Sequence, residues 1–364
     1  MIVSLKDSLK LVGITVIIFC AVFVNTFFLN FLIDIKNIEH LIVGPELTAL
    51  YNAQIATAKL SCILSGVFLS LIAVVMIFFY IKLYIDNHKS QLGILKAMGY
   101  SNFKIALSFY VFGLSVLLGT VLGFGAGYSI MPQVYNSMVI TGLPEIEIHF
   151  HIILPIMLIV SPSLLFSVLS CLYAYFALKR PVLEMLRDKA ENHKKIKKSR
   201  KEKDRPFILE MCFKTLSAKK SIAFLIAFAG FCVSAMVQMG LSMSDLAPGN
   251  MAAIILIMGL VLALTTLLMT ITSLMNGNAK NISIMKAFGY SVRECFVSVL
   301  AIYQIFALIG FAVGTVYQHV LLSLVITLLY KDIGNMPEYS FNFGIFFIVL
   351  AVFIVLYETL MGCG

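Results

Sequence analysis

Charge is scarce in this chain: Asp, Glu, Lys and Arg make up 12 % of its 364 residues, about half the share usual in a soluble domain. So few charges cannot clothe a water-exposed globule, which excludes a soluble enzyme. Phosphate loops are lacking too. No Gly-x-x-x-x-Gly-Lys-Ser/Thr occurs, and no polar segment is long enough to fold a nucleotide-binding domain, so ATP hydrolysis is not expected of this chain. His-Glu-x-x-His and Gly-x-Ser-x-Gly are missing, which removes the common metallopeptidase and serine-hydrolase constellations. The seven cysteines, Cys20, Cys62, Cys171, Cys212, Cys232, Cys295 and Cys363, include no Cys-x-x-Cys and read as small apolar fillers. Ionisable groups are nearly absent from the long apolar runs, whose polar members are neutral Asn25, Asn30, Gln238 and Gln304, plus His319. Ion-coupled carriers need buried acids or bases to bind and release their ions, so that class is disfavoured.

What is present is apolar. Hydrophobic residues reach 60 % and the mean hydropathy is +0.99, the composition of an integral membrane protein. A spanning helix needs about 20 apolar residues. Eight stretches free of Asp, Glu, Lys and Arg meet that need: 11–33, 60–81, 105–144, 152–178, 221–244, 246–279, 295–330 and 339–357. The first is too long for a signal peptide and lacks a small-residue cleavage site, so a retained helix is expected. Of the 27 Lys and Arg, 24 fall in alternate polar segments; Lys36, Lys59 and Lys331 lie on the other side. This asymmetry predicts a plasma-membrane protein with both termini cytosolic. It also accounts for the net charge of +9 without nucleic acid: the run Lys194-Lys195-Ile196-Lys197-Lys198 reads as a solvated linker touching anionic lipid.

The chain is duplicated. Leu92-Gly93-Ile94-Leu95-Lys96-Ala97-Met98-Gly99-Tyr100-Ser101 returns 190 residues later as Ile282-Ser283-Ile284-Met285-Lys286-Ala287-Phe288-Gly289-Tyr290-Ser291. Each copy reads as a short apolar helix with one lysine, closed by a Gly suited to the left-handed conformation and followed by a Ser that caps the next helix. Ser291 with Glu294 has capping-box spacing. Further matches are the ladder Gly119, Gly123, Gly127 against Gly310 and Gly314, which suits close helix packing, and Pro144-Glu145 against Pro337-Glu338. Four spans per half make the repeat parallel. The predicted fold is all-α: eight transmembrane helices as two parallel four-helix repeats, 1–188 and 207–364, joined by a basic cytosolic linker 189–206, with short cytosolic coupling helices. The second repeat stops before a counterpart of Lys179-Arg180-Pro181 and is expected to be shortened. Residues 1–10 and 210–220 have spacing for short interfacial helices, and 34–54 reads as a short outer loop matched by a turn at 244–250.

The duplicated stretch resembles the signature of the FtsX-like permeases, the membrane subunits of MacB-type ABC transporters. The pattern Gly-Ile-Leu-Arg-Ala-Leu-Gly falls on Gly93 to Gly99 and, with Ser for the first Gly, on Ser283 to Gly289; the basic position is Lys96 and Lys286. The family's leading Glu is Gln91 and Asn281 here, and its Ala-Thr is Tyr-Ser in both copies. The resemblance implies a permease without enzyme activity of its own, coupling ATP hydrolysis by a separate ATPase dimer to extrusion or removal of an amphipathic substrate such as an antimicrobial peptide, lipid, drug or haem. The alternative is a non-transporting mechanotransmission or signalling protein working with such an ATPase. Implied coupling residues are Ile94, Leu95, Lys96, Met98, Gly99, Ile284, Met285, Lys286, Phe288 and Gly289. No bound cofactor is expected, with ATP held by the partner. One chemical cluster stands apart: Glu145, Glu147, His149 and His151 alternate, which on an extended segment gathers carboxylates and imidazoles on one face. Either a metal or haem site or an exposed loop fits that pattern.

Overall fold

The computed structural model describes residues 8–138, 144, 146–179, 181, 220–243, 249–291, 294, 301–330 and 341–363. Among these every regular element is helical, and eight helices are long and apolar enough to cross a membrane. The chain is an all-α, multi-pass membrane protein. The basic linker, the 1–7 and 210–219 flanks, the turn at 244–248, Glu145 and Pro337-Glu338 lie outside the described residues.

In the first half α1 (Ser8–Asn37) is followed by α2 (Pro45–Asn87), α3 (Lys89–Ala97), α4 (Asn102–Leu107) and α5 (Tyr110–Met138). The fourth span is composite: α6 (Ile153–Pro155), a π-helical turn (Ile156–Val160) and α7 (Ser161–Ala177). In the second half α8 (Lys220–Met243), α9 (Gly249–Ala287), α10 (Ala301–Tyr330) and α11 (Phe343–Cys363) follow.

Two expectations change here. Segment 34–54 is mostly helix, not loop. Gly44, at φ +105°, turns the chain, and Pro45 with Glu46 in the first turn starts α2 at once, as a proline lacking an N–H suits a helix start. With 43 residues, α2 spans roughly 65 Å at 1.5 Å per residue, about twice a hydrocarbon core. The signature is also built differently in the two halves. The first copy forms the separate helix α3; in the second it is the last turn and a half of α9. His88 marks the break, its ring stacked on Tyr84 (4.2 Å) and its Nδ1 2.9 Å from the Tyr84 carbonyl oxygen. Asn278, 190 residues on, donates to the Leu274 carbonyl (3.0 Å) without breaking its helix.

Helix α1 lies against α5, and α8 against α10, at very close range. A Cβ on Gly119 would sit 2.7 Å from the Thr15 carbonyl oxygen, and one on Gly123 2.7 Å from that of Phe19; Gly127 faces the Thr26 side chain at 3.1 Å. In the other pair Gly310 faces the Ala227 carbonyl, and Gly314 that of Phe231 at 2.6 Å. Only backbones bare of side chains come this near. Polar groups cross the same seams: Thr15 donates to the Ser115 carbonyl (3.3 Å), and Gln238, which also bonds Ser234 on its own helix, donates across to Thr315 (3.0 Å each). The larger apolar core runs through both halves, from Phe27 and Phe112 to Phe228 and Met239. Phe79 stacks on Phe224 with ring centroids 4.8 Å apart, tying α2 to α8.

Candidate functional site

The two signature turns have the same backbone chemistry. In the first, the Gly99 N–H donates to the Lys96 carbonyl (3.1 Å) and the Tyr100 N–H to that of Leu95 (3.2 Å); in the second, Gly289 donates to Lys286 (3.0 Å) and Tyr290 to Met285 (3.2 Å). This pair of bonds is a Schellman cap, which needs a left-handed residue past the helix end. Gly99 and Gly289 supply it, at φ +91° and +87°. The next helix is then capped by serine. Ser101 Oγ accepts from the Lys104 N–H at 3.2 Å. At Ser291 the capping box closes both ways: Ser291 N–H donates to Glu294 Oε2 (2.9 Å) while Ser291 Oγ accepts from the Glu294 N–H (3.3 Å). The Ser291 N–H, and with it the Ser291 hydroxyl donating to the same Oε2 at 2.8 Å, hold the Glu294 carboxyl below its ordinary range.

Side chains around the turns divide into inward and outward sets. Leu92 and Gly93 are buried, Leu95 packs on the main core, and Met285 is 3 % exposed inside the second-half core. Outward stand Ile94, Met98 (69 % exposed), Tyr100 and Phe103 in the first corner, and Ile284 and Phe288 (79 %) in the second. Lys286 is exposed, but Lys96 is not free: its Nζ donates to the carbonyl of Leu178, 2.7 Å away at the end of α7.

At the opposite end of the first half lies a site that the sequence reading missed. Asp34 sits inside α1 with its side chain wholly buried, not in an outer loop. Its Oδ2 accepts from Asn30 Nδ2 and the Tyr135 hydroxyl, both at 2.7 Å, and from the His149 N–H at 3.4 Å; its Oδ1 faces His151 Nε2 at 2.7 Å. The Tyr128 hydroxyl completes the cluster by donating to Asn30 Oδ1 (2.7 Å). A buried carboxylate is tolerated when donors surround it as they do here. The signal was the i, i+4 spacing of Asn30 and Asp34, one helix face, opposite tyrosines seven apart on α5. The first span, Leu11–Asn37, therefore carries a buried acid near its end, beyond the uncharged run that ends at residue 33.

Of the alternating cluster, His151 turns in to Asp34, while Glu147 and His149 are exposed, with Glu147 Oε2 3.9 Å from His149 Nε2. Among the described residues no group of three or more His, Cys, Asp or Glu side chains is arranged to hold a metal ion.

A family model described as FtsX-like permease C-terminal matches residues 63–182 and 253–361, more than half of the chain. Each matched stretch holds one signature turn and the helices on either side of it. Neither the curated proteins nor the solved structures searched return a match.

Proposed function

The chain belongs to the FtsX-like permease family, and from that premise we propose that it is the membrane subunit of an ABC transporter, driven by a separate ATPase dimer that binds the ATP. The family implies an ABC permease role; the coupling scheme and the substrate are our reading. In this reading the chain is two four-helix repeats, 1–188 and 207–364, around a basic linker at 189–206. The signature corners, with Lys82, Lys89, Lys96, Lys104 and Lys179 gathered at the first, face the cytosol. Closure of the ATPase pushes both corners, and the long helices α2 and α9 carry the motion across the membrane. The cargo is amphipathic, moved from the outer leaflet or cell surface.

The observation that carries this reading is the outward apolar set at both corners: Ile94, Met98, Ile284 and Phe288, each beside a Schellman-capped turn. Leu95 and Met285 back these side chains from within, Gly99 and Gly289 shape the turns, and Lys286 rims the second corner. An aspartate placed in a desolvated contact is unpaired and costs several kcal/mol, and each 1.4 kcal/mol is about tenfold in affinity. Met98→Asp and Phe288→Asp are therefore expected to reduce capture of a co-expressed ABC ATPase from the same organism at least tenfold and to abolish its stimulation, with the permease still inserted. Normal capture and normal stimulation by both variants would sink the coupling role.

A further inference from the structure

Lys96 has a partner that coupling to an ATPase does not require. It reaches away from the outward apolar set and closes on the last carbonyls of α7, where helix ends leave acceptors unsatisfied and favour a cation. Leu178, whose carbonyl it takes, is fully buried, with its own N–H on Ala174 at 2.9 Å. The next residue, Lys179, lies over the Tyr175 and Phe176 rings at 5.2 and 5.0 Å. Just above, the Ser170 hydroxyl donates to the Phe109 carbonyl at 3.2 Å, joining α7 to the α4–α5 bend. The cytosolic end of the fourth span is thus bolted to the signature corner.

The other end is bolted as well. His151 precedes α6 by two residues and bonds Asp34 of α1, and the backbone N–H of His149 adds a second tie to the same carboxylate. Between the two fixings lie some 27 residues, roughly 40 Å of helix. The π-helical turn Ile156–Val160 interrupts it between Pro155 and Pro162, with the Ser163 hydroxyl donating to the Ile159 carbonyl at 2.6 Å. Such turns often mark functional places in a helix. Among the described residues of the second half, α11 is unbroken, and Asn342 caps its first turn through the Gly344 N–H at 2.9 Å.

The geometry points to the fourth span of the first half as a strut clamped at both ends, with Lys96 and the Asp34–His151 pair as positioning residues, which hands displacement of the α3 corner to the far end of α1. The strut rests on the ABC reading above for its driving force, but the clamp does not. Hydrogen exchange separates the two. In the permease alone, Lys96→Met is expected to speed exchange of amides 174–179 at least tenfold, and Lys96→Arg, which restores a cationic donor, to return it. In the complex with its co-expressed ABC ATPase, locked by a non-hydrolysable ATP analogue, the wild type is expected to change its exchange across 146–152. That response should vanish in Lys96→Met and in His151→Phe while the ATPase stays bound, and return in Lys96→Arg and His151→Gln. Unaltered exchange at 174–179 in Lys96→Met overturns the clamp, and a nucleotide response at 146–152 that survives both variants overturns the strut. If the wild type captures no ATPase, the ABC reading falls and with it the strut's drive, while exchange at 174–179 still decides the clamp.

Discussion

One glycine turns each signature corner, Gly99 the first and Gly289 the second, where Glu294 closes the cap that follows. Nothing lies within 4 Å of a Cβ placed on Gly99 or Gly289, so an alanine there meets no clash. Its cost is the left-handed backbone itself, ~1–2 kcal/mol for an L-residue. Gly99→Ala is expected to lower the thermal midpoint of the purified permease and to shift the outward apolar set, and Gly99→Asn to recover part of the loss, because Asn tolerates that conformation. An unchanged midpoint in Gly99→Ala would show the turn to be unconstrained. At the second corner, Glu294 has its carboxyl held low by the Ser291 N–H first and the Ser291 hydroxyl second. A lowered folded value means that the cap's contribution is complete above the ordinary carboxylate range and fades as pH falls through it. Glu294→Gln, which carries no such charge, should leave the protection of the amides at positions 291 and 294, relative to their intrinsic exchange rates, unchanged between neutral pH and the carboxylate range. The wild type should lose protection there.

Elements differ in how plainly they were written in the sequence. All eight spans were legible, because length and the exclusion of charge suffice to mark a membrane helix, and each apolar run overlaps a helix of the structure. Helix ends outside the apolar runs were not, since nothing in hydropathy says that α2 continues to Pro45. The glycine ladder was visible as spacing, but which glycines meet a neighbour depends on the packed face. That difference is measurable. Gly123 faces the Phe19 backbone, whereas Gly125, two residues on, has nothing within 4 Å. Gly125→Ala should leave stability unchanged or raise it by ~0.5–1 kcal/mol, through helix propensity alone. Gly123→Ala should cost ~1–3 kcal/mol by forcing α1 from α5, and equal melting temperatures for the two would mean that the α1–α5 seam is loose. The Asp34 cluster was illegible for a related reason: its members come from α1, α5 and the lead-in to α6, and only the fold brings them together. Asp34 stood at the edge of an apolar run, where a carboxylate reads as a loop residue until its donors are seen.

At the scale of the whole molecule the two corners belong to one body. The main core is continuous across the halves, the Phe79–Phe224 stack joins α2 to α8, and Gly13 of α1 lies against the Met269 side chain of α9. Cores packed in this way resist sliding. An ATPase dimer that docks on this permease therefore meets two outward apolar sets, around Met98 and around Phe288, at a spacing set by one chain. A second permease chain would bring four such sets to two ATPases and leave two of them bare. The expected stoichiometry is one permease to two ATPases, measured as the native mass of the complex in nanodiscs, and two permease chains in that complex would overturn the pairing. The corners are also unequal, since Lys96 is committed to α7 and Lys286 is exposed. Removing the cation at the second corner with Lys286→Met should change only the rim of a contact, where charges contribute ~0–1 kcal/mol, and leave ATP turnover near normal. Lys96→Met detaches the fourth span and should reduce stimulated turnover far more, although both variants still capture the ATPase. Equal effects of the two lysines on stimulated turnover would mean that the halves act as twins, and that the asymmetry of the structure has no bearing on how force crosses the membrane.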